Sequence, residues 1–189
     1  MKKIAILSIA ATNQPVYIHY IRNYWTELIK YTNAERPNID VFLLFEPSTY
    51  IGSFSEIEDN IIVDRTPDIG QLCDPEFRTI IIPGILSKTV YALELLKDKY
   101  DVFFRTNLSS LIKVSAFEDH VQKRESICYS GAWVWVDSLR SDLIYHNRVG
   151  PEKSIKTLSE LDDYEGNSFV SGSGYFLSAE EVESLVKRT

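Results

Sequence analysis

Cysteine is scarce in this sequence: among 189 residues only Cys73 and Cys128 occur, and they form no Cys-x-x-Cys pair. No cysteine and histidine spacing resembles a zinc site, so the sequence argues against a zinc-binding module. We expect both thiols to be reduced, as in a cytosolic protein, and we expect a cytoplasmic location (the host cytoplasm if the source is viral). The three histidines are scattered, and His19 is interpreted as structural.

Basic residues are also in deficit, with 20 Lys and Arg against 27 Asp and Glu and a net charge of −7. This balance argues against a nucleic-acid partner, because binding to a phosphate backbone usually demands a basic face. It does not exclude a nucleotide, which needs only one local cation and some backbone N–H groups.

Long apolar runs are missing as well. No segment approaches the roughly 18 apolar residues of a membrane span. Lys2 and Lys3 followed by the apolar residues 4–11 mimic a short signal peptide, but the run is at the lower limit of length and continues into a predicted helix. We interpret residues 4–10 as the first strand of a domain.

The segments that are present alternate between strand-like and helix-like patterns. The length fits one domain, and 44% hydrophobic residues allow a sizeable core. Thr12 or Asn13 is predicted to cap the first helix, and Ser178 with Glu181 forms a capping box before the last one. The alternation predicts a three-layer α/β/α domain with a mostly parallel mixed central sheet. Predicted strands are 4–10, 40–45, 60–63, 102–104 and 126–136, and 169–177 is predicted to be a strand or a turn. Predicted helices are 16–31, 85–99, 117–123 and one from 178, and 66–77 is predicted to be a loop. The polar segment 137–168 is predicted to be a functional lid or acceptor wall.

The segment 99–113 is the first candidate for a site. A short apolar run ending at small polar residues is typical of a buried parallel strand, and ligands of open α/β sheets bind beyond the carboxyl ends of such strands. Arg105 supplies a cation, and Asn107, Ser109 and Ser110 supply donors and acceptors that suit a phosphate- and sugar-bearing ligand. The alternative is an ordinary strand exit with capping residues.

Gly172-Ser173-Gly174 is a second candidate. It lacks the outer glycine of a nucleophile elbow, since Val170 precedes Ser171, and it lacks the third glycine of a dinucleotide fingerprint. Both of those interpretations fail. A glycine-lined backbone that a ligand can approach closely remains.

Three segments, in order, carry a family resemblance that spans roughly residues 68–186. They are Gly84-Ile85-Leu86-Ser87-Lys88-Thr89 after Asp68-Ile69, the run from Lys99-Tyr100 through Arg105-Thr106-Asn107-Leu108-Ser109, and Ser171-Gly172-Ser173-Gly174-Tyr175-Phe176-Leu177-Ser178. Together they resemble the glycosyltransferases of GT-A fold, especially the β-1,3-galactosyltransferase and Fringe type, and small glycosyltransferase domains of large DNA viruses and bacteria. The third segment is the most specific.

The resemblance implies a fold and an activity. The fold is that of the nucleotide-diphospho-sugar transferases, and the reaction moves a hexose from a nucleotide diphosphate sugar, expected to be UDP-linked, to a hydroxyl of a glycan or glycoprotein acceptor. The family carries its catalytic acid after the last helix, beyond Thr189, so residues 1–189 are expected to be a single domain excised from a longer chain.

The resemblance also implies roles for individual residues. If the enzyme inverts, a carboxylate must deprotonate the acceptor, and Asp137 is the candidate for this base. Arg105 and Lys88, with any bound metal, are the candidates that neutralise the leaving diphosphate. The donor-binding set implied is Ala10, Ala11, Thr12, Lys88, Arg105, Asn107, Ser109, Ser110, Gly172, Ser173 and Gly174. Trp133, Trp135 and Tyr175 are candidates to stack on sugar rings, with a core position for the two tryptophans as the alternative.

One departure from the family affects the metal. Asn107-Leu108-Ser109 replaces the acidic triplet that holds a divalent cation, and neither Asn nor Ser supplies the anionic oxygen that Mn²⁺ or Mg²⁺ prefers. Either Lys88 and Arg105 replace the metal, or another acid, Asp74 or Asp101, binds it. Two further hypotheses stay open: a catalytically inactive nucleotide-sugar- or glycan-binding module, and a partner-binding α/β domain without a ligand.

Overall fold

A computed structural model describes residues 1–47, 50, 54–65, 71–74, 79–81, 83–127, 130–131, 134–136, 168–170 and 174–187, with the backbone alone at 71–74, 79–81, 83–84, 134–136 and 168–170. The strands are β1 (Ile4–Ile9), β2 (Ile39–Phe45), β3 (Ile61–Val63), β4 (Gln71–Asp74), β5 (Thr79–Ile81), β6 (Val102–Asn107), β7 (Ser130–Gly131), β8 (Val134–Val136), β9 (Ser168–Val170) and β10 (Gly174–Ser178). The α-helices are α1 (Pro15–Tyr20), α2 (Thr26–Glu35), α3 (Pro83–Leu96), α4 (Val114–Lys123) and α5 (Ala179–Val186), with a π-helical turn at Ile21–Trp25 and a 3₁₀ helix at Ser55–Asn60.

Six strands form one sheet in the order β3-β2-β1-β6-β10-β7. Strands β3, β2, β1 and β6 run parallel, and β10 lies antiparallel between β6 and β7. Two small antiparallel pairs, β4-β5 and β8-β9, complete the described strands. The predicted α/β fold with a mostly parallel mixed sheet is confirmed.

Helices cover both faces of this sheet because the buried strands are apolar on both sides. Ile4 and Ile6 belong to a core cluster with Trp25, Ile29 and Val121, so the segment from α1 to α2 and helix α4 cover one face. The alternate strand residues form a second cluster with residues of α3 and α5, among them Ala5, Leu7, Leu93 and Val182. The arrangement is three-layered, α/β/α.

The first helical segment differs from its prediction. One helix was expected over 16–31, whereas α1 and α2 are separated by the π-helical turn. Neither Thr12 nor Asn13 caps α1: its N-cap is Gln14, without a side-chain cap, because Pro15 with its fixed φ opens the helix one residue later.

The remaining predictions of secondary structure agree with the structure in part. The capping box of Ser178 and Glu181 is confirmed, with both reciprocal hydrogen bonds formed. The predicted loop 66–77 contains β4, and the predicted strand 126–136 contains β7 and β8, which belong to different sheets. The predicted segment 137–168 lies outside the described residues except for Ser168, the first residue of β9. None of the helices in the described part of the chain is both long and apolar enough to cross a bilayer.

Candidate functional site

A crevice opens at the carboxyl ends of β1 and β6. These strands are adjacent and parallel, with Ile9 in register with Asn107, so the segments that follow them leave the sheet side by side. The crevice encloses about 430 Å³, within the range of ligand pockets. Its described lining is Ile9, Ala10, Ala11, Asn13, Gln14, Tyr17, Ile85, Asn107, Leu108 and Ser109.

Four of the predicted donor-binding residues line this crevice: Ala10, Ala11, Asn107 and Ser109. Thr12, which follows Ala11 in the sequence, is buried. Sequence reasoning did not place Asn13, Gln14 and Tyr17 in the site. The signal for Asn13 and Gln14 was their position just after a predicted parallel strand, where ligands of such sheets bind.

Two consecutive aromatic residues of the π-helical turn form hydrogen bonds with the backbone of the loop after β6. The indole N–H of Trp25 donates to the Leu108 carbonyl at 2.9 Å, where both residues are buried. The Tyr24 hydroxyl accepts from the Ile112 N–H and donates to the Ile112 carbonyl at 3.3 Å. The extra residue in a π turn changes which side chains share a helix face, and π bulges are frequent at functional sites.

Arg105 lies on the strand that leads into this loop, and it is buried. It stands opposite Tyr175 of β10, and its guanidinium carbon lies 5.8 Å from the centre of the tyrosine ring. Burial lowers the pKa of the Arg105 guanidinium from its ordinary value, and the Tyr175 side chain partly offsets this. Arg105 and Asn107 are two residues apart on one strand and therefore project from the same face of the sheet.

Lys88 lies on α3 and has no exposed surface. It follows Ile85 by three residues, so both lie on the same face of the helix, and Ile85 reaches the crevice. The preceding residue, Ser87, donates a 2.8 Å hydrogen bond to the buried carboxylate of Asp64. The beginning of α3, with its positive dipole end, therefore borders the crevice while Lys88 lies enclosed by protein.

Ser110 and Gly174 lie elsewhere. The Thr106 hydroxyl donates to the Ser110 hydroxyl at 2.6 Å. Thr106, Ser110 and Gly174 all line a second cavity. Thr106 and Asn107 are successive on β6 and point to opposite faces of the sheet. Four residues of the predicted donor-binding set thus line the crevice, and two others, Ser110 and Gly174, line the second cavity.

The residues present do not fit a divalent cation at the crevice. Its described lining carries amide, hydroxyl and phenol groups but no carboxylate. Asp101 precedes β6, so it lies about 20 Å from Asn107 at the other end of the strand, where it accepts from the Lys3 N–H at 2.7 Å. Across the described residues, no group of three or more His, Cys, Asp or Glu side chains is placed to hold a metal.

The remaining predicted residues fall outside what the structure describes. Asp137, Trp133, Gly172 and Ser173 are outside the described residues. Asp74 ends β4 and Trp135 lies in β8, but their side chains are not described. Their proposed roles stay predictions.

Comparison with known proteins adds a distant likeness. Neither a family model nor a curated protein matches the sequence. A solved structure of a mutant UDP-glucose pyrophosphorylase from Leishmania major is similar over 98% of this chain, with 8% identity and a TM-score of 0.44. This chain covers 51% of that protein, about half its length. So distant a likeness carries no argument about activity.

Proposed function

We propose that this chain is a glycosyltransferase of the GT-A type, which transfers a hexose from a UDP-sugar to a hydroxyl acceptor on a glycan or glycoprotein. The observation that carries the proposal is the convergence of three separate segments at one end of the sheet. Two of the segments that resemble the family contain the adjacent strands β6 and β10, which pair with Thr106 in register with Gly174. The third, at the beginning of α3, reaches the crevice at the carboxyl end of β6 through Ile85.

The crevice chemistry supports a nucleotide sugar as ligand. Asn107, Asn13 and Gln14 offer amide donors and acceptors for ribose, base or sugar hydroxyls, and Tyr17 offers an aromatic face. The first turn of α3 contains no acidic residue, so its N–H groups and dipole favour a diphosphate there. Arg105 and Lys88, buried close to this edge, add positive charge that favours negative charge on the leaving group.

The chain's own residues would contribute orientation and charge stabilisation. The loop that Trp25 and Tyr24 fix would hold Asn107 and Ser109 against the donor, so little ordering would be needed on binding. We assign no proton transfer to the described residues, since the candidate base, Asp137, lies outside them. A divalent cation does not fit the described lining, and no step is assigned to one.

A second candidate, an inactive nucleotide-sugar-binding module, is favoured by one observation: no described residue of the crevice lining carries a carboxylate that could act as a base. UDP release from UDP-glucose, measured with and without Mn²⁺ and with a mixed set of glycan acceptors, distinguishes the two. Transfer, or slow hydrolysis that Ser109→Trp abolishes and Ser115→Trp leaves intact, supports the enzyme. Saturable binding without any UDP release supports the module.

A further inference from the structure

A second cavity of about 600 Å³ lies on the face of the sheet that α4 covers. Its floor is a cluster of three phenylalanine rings: the centre of Phe104 lies 5.1 Å from that of Phe117 and 4.7 Å from that of Phe176, and Phe117 and Phe176 stack at 5.5 Å. All three are only partly buried, so the cluster presents an aromatic surface to the cavity. Such a surface favours a flat apolar ligand.

The rim of this cavity is basic, in a chain whose net charge is −7. Lys113, His120 and Arg124 line it from one face of α4 and its flanking residues, at helical spacing with Phe117 between them. The imidazole of His120 stacks on Phe176 at 5.8 Å. The described lining contains no carboxylate.

The acidic residues of α4 are engaged elsewhere. Asp119 pairs with Lys123 at 2.8 Å, and Glu118 lies 3.7 Å from a guanidinium nitrogen of Arg36. The described residues of the opposite wall are Ser130, Gly131 and Gly174, which carry no charge. The rim is therefore a local positive region beside an aromatic floor.

We propose that this cavity binds an organic anion consisting of a flat apolar ring system with one negatively charged group. The rings would lie against Phe104, Phe117 and Phe176, and the anionic group would lie between Lys113 and Arg124. The site is distinct from the crevice, because Thr106 faces this cavity and Asn107 faces the crevice from opposite sides of β6. The inference does not depend on the proposed function.

A matched pair of fluorescent probes tests the proposal. The first is 1-anilinonaphthalene-8-sulfonate, and the second is N-phenyl-1-naphthylamine, which keeps the rings but lacks the sulfonate. The intact chain should bind one molecule of the sulfonate with blue-shifted emission. Its affinity should fall about tenfold when Lys113→Ala and Arg124→Ala are combined, since two rim charge contacts are lost, while binding of the neutral amine should change little.

Two tryptophan substitutions locate the bound probe. Ala116 is exposed and lines the cavity, whereas its neighbour Ser115 is exposed and does not. Ala116→Trp should abolish sulfonate binding, and Ser115→Trp should leave it intact, with circular dichroism confirming that both variants are folded. Saturating UDP-glucose should leave the probe bound.

Four outcomes would overturn the proposal: no binding of the sulfonate, equal binding to Ala116→Trp, an unchanged affinity in the Lys113 and Arg124 double variant, or displacement of the probe by UDP-glucose. The double variant changes only exposed side chains, so it keeps the test decisive even if Ala116→Trp fails to fold.

Discussion

Replacing Trp25 with phenylalanine isolates the hydrogen bond that holds the crevice loop. The indole ring has no exposed surface, and its N–H donates to the buried Leu108 carbonyl. Trp25→Phe keeps an aromatic ring but leaves that carbonyl unpaired, at about 1–3 kcal/mol. The smaller ring also loses packing at about 1–2 kcal/mol, so we expect the free energy of unfolding to fall by about 2–5 kcal/mol.

The effect should be greatest in the loop that the hydrogen bond holds. Hydrogen exchange followed by mass spectrometry should show faster exchange of the amides of residues 107–113 in Trp25→Phe, and a smaller effect in Tyr24→Phe. Tyr20→Phe is the matched control, because Tyr20 is exposed on the adjoining helix and contacts none of these residues through a described hydrogen bond. If the proposed site is correct, UDP-glucose should bind Trp25→Phe about tenfold more weakly, since the loop must be ordered on binding.

One result would refute this reasoning. If Trp25→Phe lowers stability while residues 107–113 exchange no faster than the rest of the sheet, Trp25 contributes only to core packing. The loop would then be held by other contacts.

Three further substitutions test the packing and the charge of the sheet. Gly174→Ala should lower stability by about 1–3 kcal/mol in urea unfolding, because the new Cβ would lie 2.9 Å from the ring of Phe104. Adding Phe104→Leu should recover part of this loss. Failure to recover any of it would contradict this contact. Ser178→Ala should lower the free energy of unfolding by about 1 kcal/mol, because the capping box is lost. Ser184→Ala, on the exposed side of the same helix, should leave the free energy of unfolding unchanged. Equal effects of the two substitutions would exclude a capping role. Burial raises the pKa of Tyr100, and the hydrogen bond to the Asp40 carboxylate raises it further. The contribution of Tyr100 to stability is therefore complete below about pH 10 and is lost as pH rises above that value. Tyr100→Phe should therefore flatten the decline of stability between pH 10 and 12 by up to about 1 kcal/mol per pH unit, and an unchanged slope would contradict the assignment.

The sequence predicted the sheet well because its central strands are buried on both faces. Apolar runs at residues 4–10 and 40–45 have few alternatives to a parallel strand. The capping box was equally local, requiring only Ser178 and Glu181 three residues apart. Such features depend on neighbouring residues and are therefore visible in the sequence.

The candidate site was predicted only in part, because its remainder depends on the tertiary structure. The rule for strand ends pointed to Asn107 and the family resemblance to Ala10, and both line one crevice. The same rule could not show that Ser110 turns toward the opposite face of the sheet, where it bonds to Thr106. The π-helical turn was also hidden, since Tyr24 and Trp25 fit a regular α-helical stripe in the sequence and their partners lie 83 or more residues away.

Isothermal titration calorimetry with UDP-glucose tests the central claim most directly, on the intact chain, on Ser109→Trp and on Ser115→Trp. Ser109 is exposed at the crevice, so a tryptophan there fills the crevice from its rim without entering the core. The account predicts one binding site in the intact chain and in Ser115→Trp, and at least about tenfold weaker binding in Ser109→Trp. Absence of binding by UDP-glucose and other nucleotide sugars, or undiminished binding to Ser109→Trp, would contradict the assignment of this crevice.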